Sequence, residues 1–215
     1  MSDANELGRE DNTNVERGRD LDRVVFFSDA VFAIAMTILA LSLSIPARTR
    51  DARVAHELRE AVPSIVTYAL SFVVIGLNWI AHHRMFRYIR RIDSTSIRLN
   101  LAILLVVAFV PFPTEVLGDH GNTTAAVVFY AGTMALLGIS MATFWLYASH
   151  DRRLLAAHTP ASLIEHTTWR AFTVPTVFLV SIPIAFIDPN AAEWCWLAIA
   201  IVPALFRRRY GTTFE

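Results

Sequence analysis

Six long apolar runs constrain this chain more than any other feature of its sequence. They span Val24–Ile45, Val62–Ala81, Leu99–Leu117, Thr123–Ala148, Ala171–Ile187 and Ala191–Phe206. A helix needs about 20 such residues to cross a bilayer, and the first four runs meet that requirement. The last two runs are shorter and contain prolines, so they could be two full spans or a re-entrant pair. The sequence therefore predicts an all-α membrane protein with six transmembrane helices.

The polar segments divide the chain into three parts. Residues 1–22 are rich in acids and arginines and lack apolar periodicity, which is typical of a disordered tail. Residues 23–207 are predicted to form the six-helix transmembrane domain, and residues 208–215 a short C-terminal tail. Between the first two runs, the stretch Arg48–Glu60 is expected to be an interfacial helix or a loop.

The placement of arginine predicts the orientation in the membrane. The chain has no lysine, and its 19 basic residues are all arginines. If the runs alternate across the bilayer, all of them except Arg48, Arg50, Arg53 and Arg59 fall on the side of the N-terminal tail. The positive-inside rule then puts both termini in the cytoplasm. We expect the cell's inner (plasma) membrane as the location. The formal net charge of zero gives no bulk attraction to nucleic acid.

The first run carries a polar pair, Ser28 and Asp29, about two helical turns inside the membrane. An ionisable side chain at that depth costs several kcal/mol unless it finds a partner. Asp29 lies about 9 Å of helix rise past Arg23, so a position near the lipid headgroups is the alternative. The uncharged residues that follow, as far as Ile45, favour an intramembrane aspartate.

The same helix has an aliphatic stripe that faces away from this polar pair. At about 100° per residue, Ile34, Ile38 and Leu41 fall within roughly 60° of one another. Asp29 lies about 140° from Ile34, and Ser28 about 120° away on the other side. The polar pair is therefore expected to look into protein, while the stripe could meet lipid, another helix or a narrow axis.

Asp29 is expected to find its partners on other helices, because Arg23 is six residues away and outside helical pairing distance. The second run presents Trp79, His82 and His83 on one face near the same depth, and the third run presents Asn100. A buried network of Ser28, Asp29, Trp79, one of the two histidines and Asn100 would satisfy all of these groups. Its role is either to fix the helix register or to handle ions or protons.

Motifs of known catalytic chemistry are missing from this sequence. His82 and His83 lack the further ligands of a zinc site, so we expect no metal and no cofactor. The sequence has no glycine-rich phosphate loop, no nucleophile elbow and no T-V-G-Y-G carbonyl filter. The third run ends in Pro111-Phe-Pro113, which predicts a bend or a helix end. We therefore expect that the protein is not an enzyme.

The pattern Arg23-x-x-x-Phe27-Ser28-Asp29, followed by Ala-Val-Phe-Ala-Ile-Ala-Met-Thr-Ile-Leu, resembles the signature of the transmembrane protein 175 family. Further matches are Trp79-x-x-His82-His83, and Asn100 ahead of the long third run. Members of this family are potassium channels of animal endolysosomes, with single-repeat bacterial relatives. The resemblance is to the bacterial type and covers the six-helix body.

The resemblance implies a homotetramer whose first helices line a central pore. It implies that Phe27, Ser28 and Asp29 brace the helices and do not coordinate ions, with Arg23 as part of the same motif. It also implies a constriction and selectivity region on the aliphatic stripe, carried over to Ile34, Thr37, Ile38 and Leu41. The implied partners are other copies of the chain, membrane lipid and potassium ions.

The function we expect is therefore a potassium-permeable cation channel. Four Ile34 side chains would narrow the axis and form a hydrophobic constriction, and Thr37 hydroxyls would replace part of the lost hydration. Potassium would pass down its electrochemical gradient. The alternatives are a secondary transporter for a small solute, which needs broken helices and a polar midplane site, and a non-conducting membrane scaffold.

Overall fold

The computed structural model describes residues 2–43, 51–121, 123–156 and 158–196. The helices are α1 (Ser2–Ile38), α2 (Asp51–Glu60), α3 (Val62–Tyr88), α4 (Ser94–Phe109), α5 (Pro111–His120), α6 (Thr124–Ser149) and α7 (Ala161–Ala185). Short 3-10 turns follow α1 and α6, at Leu39–Ser42 and His150–Arg152. Within these ranges the chain is helical almost throughout, and an isolated bridge joins Ile89 to Leu155.

Five helical segments in the described ranges are long and apolar enough to cross a membrane. They are Gly18–Leu41, Val62–Tyr88, Ser94–His120, Thr124–Arg152 and Ala161–Ala185. They correspond to the first five predicted runs and make this chain a multi-pass membrane protein. The sixth run begins in residues 189–196, which are helical, but the remainder of it and the predicted C-terminal tail lie outside the described residues.

The N-terminal segment differs from the predicted disordered tail. Helix α1 begins at Ser2 and continues without interruption into the first membrane span. Extending an existing helix fixes one residue for each new hydrogen bond, and residues 2–22 contain no proline to stop that extension. The composition of a charged segment therefore did not reveal its continuity with a stable helix. Of the stretch Arg48–Glu60, expected as a helix or a loop, residues 48–50 lie outside the described residues and Asp51–Glu60 form helix α2.

The third span bends where the two prolines lie. Pro111 and Pro113 have no backbone N–H, so the hydrogen-bond ladder is interrupted between α4 and α5. Val110 keeps a helical backbone, and its N–H donates to the carbonyls of both Val106 and Val107. Thr114 resumes the ladder by donating to the Val110 carbonyl at 3.1 Å. The prolines thus split the span into two helices that still cross as one segment.

Helix α6 lies at the centre of the core and packs against α4, α5 and α7. Large side chains along its length, including Tyr130, Phe144 and Trp145, are fully or almost fully buried. At Gly138 the backbone meets the kinked part of α7, because an added Cβ would lie 2.6 Å from Pro175 Cδ. The absence of a side chain at Gly138 is what allows α6 and α7 to approach this closely.

Polar side chains join the start of α4 to the end of α6 at the arginine-rich end of the molecule. Asp93 caps α4 by accepting from the backbone N–H of Ser96 at 2.7 Å, and Ser96 completes a reciprocal capping box. The Tyr147 hydroxyl, from the end of α6, donates to the second Asp93 oxygen at 2.6 Å. Arg153 lies over the Tyr147 ring at 5.0 Å and donates to its hydroxyl. These contacts hold the end of α6 to the start of α4.

The hydrogen bonds from Tyr147 and Ser96 favour the ionised form of the Asp93 carboxyl. Partial burial raises the pKa of the Asp93 carboxyl, but the hydrogen bonds from Tyr147 and Ser96 outweigh this effect and hold the pKa below its usual value. A carboxylate with a lowered pKa stabilises the folded state at neutral pH. That contribution disappears as the pH falls through the lowered pKa.

We expect opposite effects of alanine at two glycines of α6. Gly138→Ala should destabilise the fold by about 1–3 kcal/mol, because the new methyl group overlaps Pro175. Gly132→Ala is the matched control, since an added Cβ there meets no atom within 4 Å, and helix propensity should make it neutral or stabilising by up to about 1 kcal/mol. Thermal unfolding of purified protein in detergent measures both. Equal effects of the two substitutions would contradict this packing.

We also expect a pH-dependent effect of Tyr147→Phe. The substitution should raise the pKa of Asp93 and lower stability at pH 7 by no more than about 1 kcal/mol, since the carboxyl lies near solvent. The difference from the wild type should begin to shrink below about pH 4 and disappear as the pH falls through the lowered pKa of wild-type Asp93, because the carboxyl is then protonated in both proteins. Tyr88→Phe serves as a control, because its hydroxyl has no hydrogen bond within the described residues. A loss of stability that stays constant with pH would contradict the stabilising role of the Tyr147–Asp93 hydrogen bond.

Candidate functional site

Helix α1 presents two different faces in the membrane. Ser28, Phe32, Ala35 and Leu39 are buried against the rest of the chain. The predicted pore residues lie on the opposite side, where Ile34 is 57%, Ile38 41% and Leu41 78% exposed. Phe27, below this stripe, is also exposed. The stripe therefore belongs to the exposed side of α1 and of the 3-10 turn after it, a side that also includes Phe26, Ala30 and Ala33.

Thr37 lies on the exposed side of α1 as well, but its hydroxyl hydrogen is already used. The Thr37 Oγ1 donates to the backbone carbonyl of Ile34 at 2.8 Å. A threonine hydroxyl has one hydrogen and two lone pairs. The atom that Thr37 can offer to a neighbouring ion or water is therefore an oxygen lone pair, which suits a cation.

On the buried side, Ser28 begins a chain of hydrogen bonds that joins three helices. Its hydroxyl donates to the carbonyl of Val24 at 2.8 Å and accepts from Asn100 Nδ2 at 2.9 Å. Asn100 Oδ1 lies 2.8 Å from His82 Nε2, so this imidazole nitrogen carries the hydrogen and donates. Ser28, Asn100 and His82 come from α1, α4 and α3, and all three are buried.

The His82 ring is fixed by apolar packing in addition to this hydrogen bond. It lies 5.4 Å from the Phe32 ring of α1 and 4.5 Å from the Phe86 ring of its own helix. Its Nδ1 is buried and finds no hydrogen-bond partner among the described residues. His82 therefore holds α1 through both a polar and an aromatic contact.

Asp29 makes a separate contact between α1 and α3. The Trp79 Nε1 donates to Asp29 Oδ1 at 2.8 Å, and both residues are half-buried. His83 is exposed and touches the face of Trp79, with ring centroids 5.8 Å apart, but stays outside the hydrogen-bonded chain. Arg23 is exposed and forms no ion pair with Asp29. The predicted network residues thus form two separate hydrogen-bonded groups, and His83 and Arg23 belong to neither.

The sequence analysis missed a second buried polar cluster between α3, α5 and α6. Thr114 Oγ1 lies 3.0 Å from Ser71 Oγ, which lies 3.0 Å from the hydroxyl of Tyr130. All three side chains are buried. The available signal was the presence of hydroxyl groups in the interior of three apolar runs. Nothing in the spacing of the runs indicated that these three positions would meet.

The geometry of these groups suits bracing better than chemistry. Among the described residues there is no cluster of three or more histidine, cysteine or acidic side chains that could hold a metal ion. The chain from His82 to Ser28 passes through the Asn100 amide, which does not exchange a proton as an acid or base near neutral pH. The hydrogen bonds join α1 to α3 and α4, and the only side chain between His82 and Ser28 is an amide.

Comparison with known proteins identifies relatives over most of the chain. The family model described as the endosomal/lysosomal potassium channel TMEM175 matches residues 23–111. A potassium channel of Streptomyces collinus is 33% identical over 171 residues, which cover 77% of this chain and 82% of the relative. A potassium channel of Chamaesiphon minutus is 30% identical over 189 residues, which cover 86% and 91%.

A solved structure agrees with these matches. The crystal structure of a lysosomal potassium-selective channel TMEM175 homolog from Chamaesiphon minutus superposes with a TM-score of 0.77 at 29% identity. The superposition covers 87% of this chain and 97% of that one. Sequence identity over most of both chains and a shared helical architecture lead to one conclusion: this chain belongs to the TMEM175 family.

Proposed function

We propose that this protein is a potassium channel that conducts K⁺ passively, with α1 lining the pore of a homotetramer. The observation that carries this proposal is the division of α1 into a braced polar face and an uncovered aliphatic stripe. Its relatives named as potassium channels, at 33% and 30% identity, support the same function. The ion is a passing substrate, and the proposal requires no cofactor, resident metal or enzymatic reaction.

The constriction is proposed to form where four copies of Ile34 meet around the axis. Apolar side chains offer no hydrogen bonds to water, so a narrow ring of them dewets and opposes the passage of hydrated ions. Ile38 and Leu41 extend the apolar lining towards the far end of α1. Between Ile34 and Leu41, the Thr37 oxygen supplies lone pairs that replace part of the hydration shell of K⁺.

The hydrogen bonds that α3 and α4 make to α1 are proposed to keep the constriction residues on the axis. Each residue of an α-helix advances by about 100°, so a modest rotation of α1 would turn Ile34 away from the axis. Hydrogen bonds from Asn100 to Ser28 and from Trp79 to Asp29 restrain α1 on two sides. Phe27 contributes to the motif by its size, and His83 by its contact with the Trp79 ring.

The orientation proposed for the channel follows from the arginine distribution. The arginines of α3 and of the following connection lie towards the same end of the membrane helices as Arg23. They include Arg84, Arg87 and Arg90. The positive-inside rule makes this end cytoplasmic, with both termini inside. We propose the plasma membrane as the location because the relatives that cover most of this chain are bacterial. Protease accessibility of a terminal tag on intact cells tests this orientation.

Ile34→Asn should raise K⁺ flux roughly tenfold, equivalent to lowering the barrier by about 1.4 kcal/mol, or reduce the preference for K⁺ over Na⁺. The amide would hydrate the constriction and remove its dewetting barrier. Flux from K⁺-loaded liposomes and bi-ionic reversal potentials measure the two effects. Leu179→Asn is the matched control, since Leu179 is equally apolar and exposed but lies on α7.

Three outcomes would contradict parts of this proposal. Wild-type protein that carries no K⁺ flux down a gradient would indicate a scaffold, and saturable coupled uptake would indicate a secondary transporter. If Ile34→Asn conducts with unchanged flux and selectivity, then Ile34 does not form the constriction.

Trp79→Phe should destabilise the channel, because it leaves the half-buried Asp29 carboxylate without its indole donor. The expected cost is about 1.5–3 kcal/mol, the range for a hydrogen bond to a charged group. Asp29→Asn should cost less when Trp79 is already Phe than when it is Trp, and a double-mutant cycle in detergent measures this coupling. Trp169→Phe, at an exposed site on α7, should be near neutral. Strictly additive effects of the two substitutions would show that the pair does not act as a brace.

A further inference from the structure

An open groove of about 470 Å³ lies between the first membrane turns of α1 and the start of α4. Its walls are mainly apolar, with Phe27 from α1 and Ile97 and Leu101 from α4. Arg23 also lines the groove and brings a positive charge to it. A group that fills the groove well is therefore apolar and has a negative charge beside it.

The groove borders the side of α1 that the proposed tetramer turns towards its axis. Phe27 and Val24, which both line the groove, lie about 20° and about 80° to one side of Ile34. In a ring of four helices, each helix meets its two neighbours in directions about 90° apart, one on either side of the axis. If Ile34 faces the axis, the groove faces one of these two neighbours.

The other side of α1 carries the groups that suit the groove. Phe26 lies about 80° and Asp22 about 120° from Ile34, both on the side away from Val24. Phe26 is 71% exposed, and it lines the groove of its own chain without filling it. Asp22 is exposed and precedes Phe26 by four residues, so the two side chains are neighbours on one face of the helix. This face presents an apolar ring with a carboxylate beside it.

The charges at this end of α1 are complementary between its two sides. Arg19 lies with Asp22 on the side of Phe26, whereas Asp20 lies on the side of Phe27. Asp20, Asp22 and Arg23 are exposed, and within the residues that the structure describes none of them forms an ion pair. In a ring, Arg19 of one copy faces Asp20 of the next, and Asp22 faces Arg23. A second copy therefore brings opposite charges together at this level.

We propose that Phe26 of the partner subunit inserts into this groove and that Asp22 of the partner subunit pairs with Arg23. The inference rests on the proposed function, because it uses the fourfold arrangement of α1. Each subunit offers the Phe26 side of α1 to one neighbour and its groove to the other, so the contact is head-to-tail and closes into a ring. Asn100 lines the groove and donates to Ser28, so the interface adjoins the hydrogen bond between α4 and α1.

Native mass spectrometry of the full-length protein in detergent tests the fit of the groove. Phe26→Ala removes the inserted ring, and Leu101→Trp fills the groove. Each should raise the protein concentration at which half of the tetramer dissociates by at least about tenfold, as expected for an aromatic residue at the centre of an interface. Phe172→Ala, at an exposed phenylalanine on α7 outside the groove, is the matched control and should leave dissociation unchanged.

A charge exchange tests the pairing between subunits. Asp22→Arg and Arg23→Asp should each weaken the tetramer, because each places like charges opposite one another across the interface. The double variant should recover most of the wild-type stability of the tetramer. Side chains at adjacent positions of a helix do not face each other, so this recovery can come only from a contact between subunits.

Several results would overturn the groove contact. Wild-type dissociation of both Phe26→Ala and Leu101→Trp would show that the partner's Phe26 does not occupy the groove, and a double variant as weak as the single ones would exclude the ion pair. Phosphatidylglycerol that binds the wild-type tetramer but not an equally stable Leu101→Trp tetramer would make the groove a lipid site instead. In each case K⁺ flux from liposomes is measured separately, so a stable, conducting Phe26→Ala tetramer refutes this contact and leaves the proposed channel intact. A wild-type protein without tetramers contradicts both proposals.

Discussion

The rotation of α1 about its own axis is the constraint on which the rest of this structure depends. Two hydrogen-bonded contacts set that rotation, from Asn100 to Ser28 and from Trp79 to Asp29. They come from different helices and reach adjacent residues, so α1 is restrained by α4 on one side and by α3 on the other. A polar group buried in the membrane that loses its partner is costly, because no water is present to replace it. Alternative rotations of α1 are therefore excluded by unsatisfied polar groups as well as by lost apolar packing.

The packing around α6 complements this arrangement in the rest of the chain. Bilayer lipid is as apolar as leucine, so membrane helices associate through close packing and hydrogen bonds. The contact of Gly138 with Pro175 provides close packing. The hydrogen bonds that link Ser71 with Tyr130 and Thr114 join three of the helices. These contacts pack α3 and α4 against α5 and α6, and that packing positions the side chains that donate hydrogen bonds to α1.

The sequence was sufficient to predict the parts of the fold that depend on local pattern. Apolar run length located five membrane spans, and helical periodicity separated Ser28 and Asp29 from the exposed stripe. Hydrogen-bonding capacity alone could not decide between His82 and His83, because the two imidazoles offer the same donors and acceptors. That choice depends on how far α3 is rotated towards α1, which is set by tertiary contacts such as the packing of Phe32 on His82. Local pattern likewise gave no sign that Ser71, Thr114 and Tyr130 would converge.

The division of α1 into two faces also limits where selectivity can arise in the proposed channel. Asp29 is the charged residue nearest the middle of the first membrane span, Gly18–Leu41, yet its carboxylate accepts a hydrogen bond from Trp79. A carboxylate exposed in a narrow pore would bind cations tightly and slow their release, whereas conduction requires sites that ions leave easily. An apolar ring with a weak oxygen ligand nearby avoids that difficulty. The Thr37 hydroxyl is such a ligand, because its hydrogen is held by the Ile34 carbonyl and its oxygen carries no formal charge. Selection by partial dehydration, with the charge of Asp29 kept away from the ion path, is therefore the mechanism that we propose for this channel.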